Sequence, residues 1–165
     1  MMTPDEIRKS FITTMTGHGS VAIPPSGLVP ENDASTLFVG SGMQPMVPYL
    51  LGLDHSMGND LVNIQPCVRT GDIEEVGDMS HLTFFEMIGR WELRANPETY
   101  KTVQINRIMD WQVETLGLDP SKLSVTIHSG NIKLGIDYDH ASLKIWQDFF
   151  AKYGVEAKVE DEPFK

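Results

Sequence analysis

The stretch QPCVRTGDIEEVGDMSHLTFFEMIG, residues 65–89, decides the fold. Its flanks belong to two short apolar segments, LVNIQPCVR at 61–69 and HLTFFEMI at 81–88. Both are rich enough in β-branched and aromatic residues to form strands. Pro66 predicts a bulge or an edge in the first, because proline gives no donor to a ladder. The intervening TGDIEEVGDMS is polar and punctuated by Gly71 and Gly77. The pair is therefore an antiparallel one joined by a long loop rather than a tight hairpin.

Outward from this pair the chain alternates helices and short strands. Thr3, Pro4 and Glu6 make an N-cap, a first-turn proline and a capping box, and Ile7, Phe11 and Met15 follow at four-residue spacing. Gly17 and Gly19 close that helix. Three prolines between Val21 and Pro30 make that stretch extended or edge-like. Thr36 to Val39 is a short strand candidate, and Met46 to Leu51 a short helical turn. A second long helix starts at Asn96-Pro97-Glu98, carries Ile105, Ile108 and Met109, and ends at Gly117. Leu123, Val125 and Ile127 alternate as a strand. A third helix runs from about Asp139 to Tyr153 with Leu143, Trp146 and Phe150 on one face. Locally paired strands with helices between them give an α+β domain, an antiparallel sheet flanked by helices, read as one domain over residues 1–165.

Composition narrows the function classes. The chain has 165 residues, 41% hydrophobic and 22% charged, as expected of a soluble globular domain. No apolar run approaches the roughly 20 residues of a membrane span. The start, MMTPDEIRKS, lacks the apolar block of a secretory signal. Cys67 is the only cysteine, so no internal disulfide forms, and the cytoplasm is the expected compartment. Thirteen Lys and Arg against 23 Asp and Glu give a net charge of −10. So acidic a surface repels the phosphate backbone, which excludes a general nucleic-acid binder and leaves RNA only a local patch or another part of the protein.

Chemistry concentrates around Arg69. A planar guanidinium suits phosphate through two parallel charge-assisted bonds, Phe85 offers a flat face for a base, and His81 lies four residues before it. On pattern alone the plainer reading comes first, with Arg69 a surface ion-pair partner and Phe84-Phe85 core. Asp72, Glu74, Glu75 and Asp78 crowd the loop as solvated acids, or as groups orienting Arg69 or catching a cation. No His or Cys cluster with ligand spacing accompanies them, so no protein metal site is expected. Cys67 reads as a small buried hydrophobe, and Trp146 as core on its helix face. His18, His55, His128 and His140 show no interpretable pairing. Gly40-Ser41-Gly42 lacks the spacing and lysine of a phosphate loop.

Taken in order, the segments resemble the alanyl-tRNA synthetase family over nearly the whole chain. EIRKSFI, SGLVPENDASTLFVGSGM and LLGLD follow the family's first segment. Residues 65–89 are similar to its second signature motif, and KLSVTIHSG and ASLKIWQDFF continue the match. The resemblance implies a class II synthetase core binding bent ATP on the sheet. It implies activation of alanine to alanyl-adenylate, then transfer to the 3′ end of alanine tRNA, with magnesium arriving with ATP. By motif position, Arg69 is the catalytic contact to the α-phosphate, His81 lies toward the γ-phosphate, and Phe85 stacks on adenine. Met43 falls near the nucleotide and Trp146 near the alanine pocket.

Departures qualify the match. Thr70-Gly71 runs straight into Asp72, without the Lys and His many members carry there. The family's Thr-Asn-Ala-Gly-Met reads Val39-Gly40-Ser41-Gly42-Met43, and a glycine- and aromatic-rich segment reads Arg90 to Asn96. The third class II motif, with a second ATP-binding arginine, has no counterpart, nor do the tRNA-binding helices. The expectation is a core incomplete at its C-terminus that does not charge tRNA by itself and meets tRNA through absent parts. Two other readings stand beside it: a catalytically inactive paralogue that binds a nucleotide or a partner, and a subunit completed by another chain.

Overall fold

The computed structural model describes residues 2–30 and 36–160; part of the first conserved stretch and the Pro163-Phe164-Lys165 end lie outside them. The chain divides into two compact units, Met1–Ala95 and Asn96–Lys165.

In the first unit, α1 (Pro4–Gly17) begins with the expected capping box, Thr3 and Glu6 each serving the other's backbone N–H. Its stripe buries Phe11 and Met15. The sheet has the order β1-β2-β3, with β1 at Val21–Ala22, β2 at Asp60–Val68 and β3 at Phe84–Glu92. The β2–β3 ladder is antiparallel and continuous from Asp60↔Glu92 to Val68↔Phe84. β1 is parallel to β2, so the sheet is mixed rather than wholly antiparallel. The α+β class and the long-loop strand pair hold. The second strand runs four residues further than its apolar pattern, because Arg90 and Glu92 pair within the ladder and hide their charge from a polarity count.

Pro66 sits in regular register with Glu86, without a bulge. The Arg69 N–H donates to Thr83 across the ladder, whereas the Val68 N–H turns outward to the Val39 carbonyl. The alternation of an antiparallel pair thus points Pro66 away from β3, where its missing N–H costs no ladder bond. Thr36 to Val39 forms no strand. Val39 makes one bond to Leu28 and one to Val68, and the chain then breaks into a 3-10 turn (Gln44–Met46) and α2 (Val47–Leu50).

Strand register sorts the side chains onto two faces. One carries Leu61, Asn63, Gln65 and Cys67 opposite Trp91, Gly89, Met87 and Phe85. Met46 and Tyr49 pack against Leu61, Trp91 and Leu93 at one end of this face. The other face carries Val62, Ile64, Pro66 opposite Arg90, Ile88 and Glu86, and Arg8 of α1 pairs with Glu86 at 2.6 Å.

In the second unit, α3 (Tyr100–Asp110) runs into a π-helical turn, Trp111–Thr115, and Gly117 at φ 71° ends it. The third expected helix is α4 (His140–Ala151), with Asp139 as its N-cap. Met109, Phe149 and Phe150 form the buried core, with Ile105, Ile108, Val125, Trp146 and Tyr153 packed around it. β4 (Val125–Thr126) pairs parallel with β5 (Val159–Glu160), a strand too short and too charged to be read from sequence. Among the described residues no helix is long and apolar enough to cross a membrane.

Candidate functional site

The face of the β2–β3 ladder away from Glu86 carries two buried polar side chains, Gln65 and Asn63, and both are hydrogen-bonded. Gln65, fully buried, accepts from the Ser26 N–H at 2.9 Å and donates to the Ser26 carbonyl at 3.0 Å. Asn63 accepts from the Trp91 indole N–H at 2.9 Å. A buried amide left unpaired costs about 1–3 kcal/mol, so these bonds fix the floor of the face rather than decorate it. The indole lies across Gly89, where a Cβ would fall 2.5 Å from its ring, so glycine is required at that position. Burial pushes the Cys67 thiol up, consistent with a packing role.

Beyond the open end of this floor stands Arg69. Its guanidinium lies 5.1 Å from the centre of the Phe85 ring, a cation–π distance. Its Nε donates to the Gly40 carbonyl at 2.9 Å. Among the described residues no carboxylate pairs with it. Arg69 is exposed and Phe85 half-buried. The loop over Val39–Gln44 therefore meets the face at two points, the second being Gly42, whose N–H approaches the Met87 sulfur at 3.2 Å. Met43, in the same loop, is 55% exposed at the start of the 3-10 turn.

His81 is placed differently. Its Nδ1 lies 2.6 Å from Asp78 and its Nε2 3.0 Å from Glu75, so both ring nitrogens meet carboxylates. The backbone N–H and imidazole of His81, with Ser80, hold the Asp78 carboxyl at about 2. Of the acids in this loop, Glu75 and Asp78 thus serve His81, and none orients Arg69. Among the described residues no group of three or more His, Cys, Asp or Glu converges to hold a metal ion. Trp146 belongs to the second unit, half-buried against its core with its ring 6.4 Å from Phe150.

Two residues of the first unit escaped the sequence reading. Gln44 accepts from the Gly40 N–H at 3.0 Å and donates to the Thr36 hydroxyl at 2.8 Å, bonds that no motif announces. Arg90, 5% exposed, donates to Asp60 at 2.5 Å, Glu92 at 3.0 Å and Ser20 at 3.2 Å. The i, i+2 spacing of Arg90 and Glu92 on a strand was its one legible signal.

The family model for class II tRNA synthetases (A) matches residues 6–159. The alanine–tRNA ligase of Borrelia garinii subsp. bavariensis is 43% identical over 146 residues, 88% of this chain and 24% of that protein. That of Treponema denticola is 43% identical over 148 residues, with the same coverage of both chains. That of Rubrobacter xylanophilus is 36% identical over 130 residues, 79% of this chain and 14% of the relative. The chain spans about a quarter of the length of the first two. With a match running through both compact units, this chain belongs to the class II tRNA synthetase family.

Proposed function

We propose that this chain supplies the ATP-binding face of an alanine–tRNA ligase. Adenine stacks on Phe85 and the α-phosphate meets Arg69. An alanine carboxylate oxygen attacks the α-phosphorus, the bond to pyrophosphate breaks, and alanyl-adenylate forms. A 3′-terminal ribose hydroxyl of alanine tRNA then takes the alanyl group and AMP leaves. In this reaction Arg69 stabilises the charge that grows on the α-phosphate oxygens. Met43 borders the nucleotide, Trp146 borders the alanine pocket, magnesium enters on the ATP phosphates, and the reaction runs in the cytoplasm.

One observation carries the reading. Arg69 is held through its Nε alone, over an aromatic ring, with no carboxylate among the described residues to spend its charge. The two terminal nitrogens of a guanidinium held this way remain for a bidentate anion. His81 fits a γ-phosphate role only by exchange, with phosphate oxygens replacing Glu75 or Asp78 at its ring. That cost favours a second reading, a family member that binds the nucleotide without activating alanine.

Calorimetric titration with ATP tests the first step. Arg69→Ala raises the ATP dissociation constant by roughly 30-fold, the loss of one charged hydrogen bond worth about 2 kcal/mol. Equal affinity in the variant overturns the assignment. Alanine-dependent pyrophosphate exchange separates the two readings, since the non-catalytic one binds ATP and exchanges nothing.

A further inference from the structure

The direction of the Arg69 side chain depends on one carbonyl, that of Gly40, and a glycine carbonyl is free to swing unless its neighbours are tied. They are tied on both sides. Before it, the Val39 N–H donates to the Leu28 carbonyl at 2.7 Å and the Val39 carbonyl accepts from Val68 at 2.9 Å. After it, the Ser41 carbonyl accepts from the Gln44 N–H at 3.3 Å, and Gly42 rests on Met87. Gly40 itself is tied at its N–H, by the Gln44 side-chain oxygen at 3.0 Å. The Gln44 amide nitrogen is in turn anchored on the Thr36 hydroxyl at 2.8 Å.

We propose that Gln44 is a positioning residue for Arg69, acting through the Gly40 carbonyl, so that Thr36, Gln44, Gly40 and Arg69 form one hydrogen-bonded latch that pre-aims the guanidinium at the nucleotide phosphate. The inference rests on the ATP-binding reading of Arg69. The latch also accounts for the sequence of this loop. Val39 and Gly40 offer Arg69 no polar side chain, and the Ser41 hydroxyl accepts from the Gln44 N–H, so the backbone takes over the work. A Cβ at position 40 would sit 4.0 Å from the Arg69 Cγ, which leaves the guanidinium stem close enough for its Nε to reach the carbonyl. The planar fork then has its plane set by the Nε bond and its floor set by Phe85, and only its outer edge faces ligand. Aiming the fork before ATP arrives removes an ordering cost from binding, which is how a residue that never touches the ligand changes its affinity.

The test is a double-mutant cycle on the 165-residue chain, read by calorimetric titration with magnesium-ATP and, in parallel, by urea denaturation. Gln44→Ala weakens ATP about three- to tenfold, the value of one net hydrogen bond. In the Arg69→Ala background the same substitution changes affinity by less than about twofold, because the two act as one unit. Gln44→Glu keeps the acceptor for Gly40 and can accept from Thr36, so it restores affinity to near that of the parent. Thr36→Val, on the exposed end of the latch, weakens ATP in the same direction as Gln44→Ala and leaves the urea midpoint in place, which keeps the test alive if Gln44→Ala fails to fold. Additive effects of Gln44→Ala and Arg69→Ala, or a Gln44→Glu variant as weak as Gln44→Ala, overturn the latch. If Arg69→Ala itself leaves ATP binding intact, the reading of Arg69 fails, and the latch fails with it.

Discussion

Arg69 and Arg90 stand at opposite ends of one antiparallel ladder and on opposite faces of it, and the chain treats them in opposite ways. Arg90 has every edge of its guanidinium occupied, by Asp60, Glu92 and the Ser20 hydroxyl, which itself donates to Asp60 at 2.6 Å. Arg69 is held by one carbonyl and one ring, without a carboxylate among the described residues. Burying a cation against two carboxylates consumes its charge in the fold. Exposing one, fixed in direction and without a carboxylate beside it among the described residues, keeps the charge for something else. An arginine in a class II synthetase sequence is thus informative only once its acceptors are known.

Removing each arginine is the sharpest way to break this comparison, and the larger effect falls on Arg90. Arg90→Ala leaves Asp60 and Glu92 facing a neutral side chain in a half-buried site. Losing one partner of a fully buried pair costs 3–5 kcal/mol, and the partial exposure of both acids brings this to about 3 kcal/mol. Urea denaturation reads that loss, while ATP affinity of the folded fraction stays unchanged. Arg69→Ala reverses the pattern: ATP binding falls as stated above, and stability moves by no more than about 0.5 kcal/mol. If both variants lose stability alike, the two arginines are not the different devices their contacts describe.

Salt gives an intermediate test that needs no mutation. Raising ionic strength from 0.1 to 1 M shortens the screening length from about 10 Å to about 3 Å. The exposed Arg69 is screened, so ATP affinity drops several-fold, whereas the Arg90 cluster, only 5% exposed at the arginine, is shielded by its burial and keeps the urea midpoint nearly fixed. A midpoint that falls in step with ATP affinity would place both charges in the solvent.

How much of this was legible depends on what carried each signal. The capping box at Thr3 and Glu6 and the strand–loop–strand around Arg69 were readable, because caps and apolar strands write themselves into adjacent residues. The strand at Thr36 to Val39 was read and did not form, since its backbone partners are single carbonyls from elsewhere rather than a ladder. β5 was missed because it is two residues long and held by backbone bonds, and the last residues of β3 because the charges of Arg90 and Glu92 pair with each other. Residue type singled out Arg69 and Phe85, but on pattern alone the plainer reading came first, and only the family resemblance gave them their roles. The bonds that aim Arg69 were not legible, because a carbonyl acceptor leaves no mark on residue identity. His81 was placed toward a phosphate, and its two carboxylate neighbours became visible only when the loop folded back.

The smallest effect extends the comparison to the second unit, where Lys101 is a cation consumed like Arg90 but more open to water. Its ammonium donates to both oxygens of Asp139 at 2.7 and 2.6 Å, and Asp139 also accepts from the Ser142 N–H and hydroxyl. Burial by itself would raise the Asp139 carboxyl. The Lys101 ammonium and the Ser142 donors outweigh it and hold the group at about 2, below its ordinary 3.8. A folded value below the unfolded one means the unfolded chain binds more protons between them. Asp139 therefore stabilises the fold fully above about pH 5, and the contribution disappears as pH falls from about 4 through 2. Asp139→Asn retains a capping oxygen for Ser142 and removes only the charge, so it costs about 1 kcal/mol at pH 7. Urea midpoints of parent and variant should differ at pH 7 and 5 and converge toward pH 2. A gap that stays constant down to pH 2 would mean that the cap, and not the Lys101 pair, is what Asp139 contributes, and that cations in this chain are consumed only when buried as deeply as Arg90.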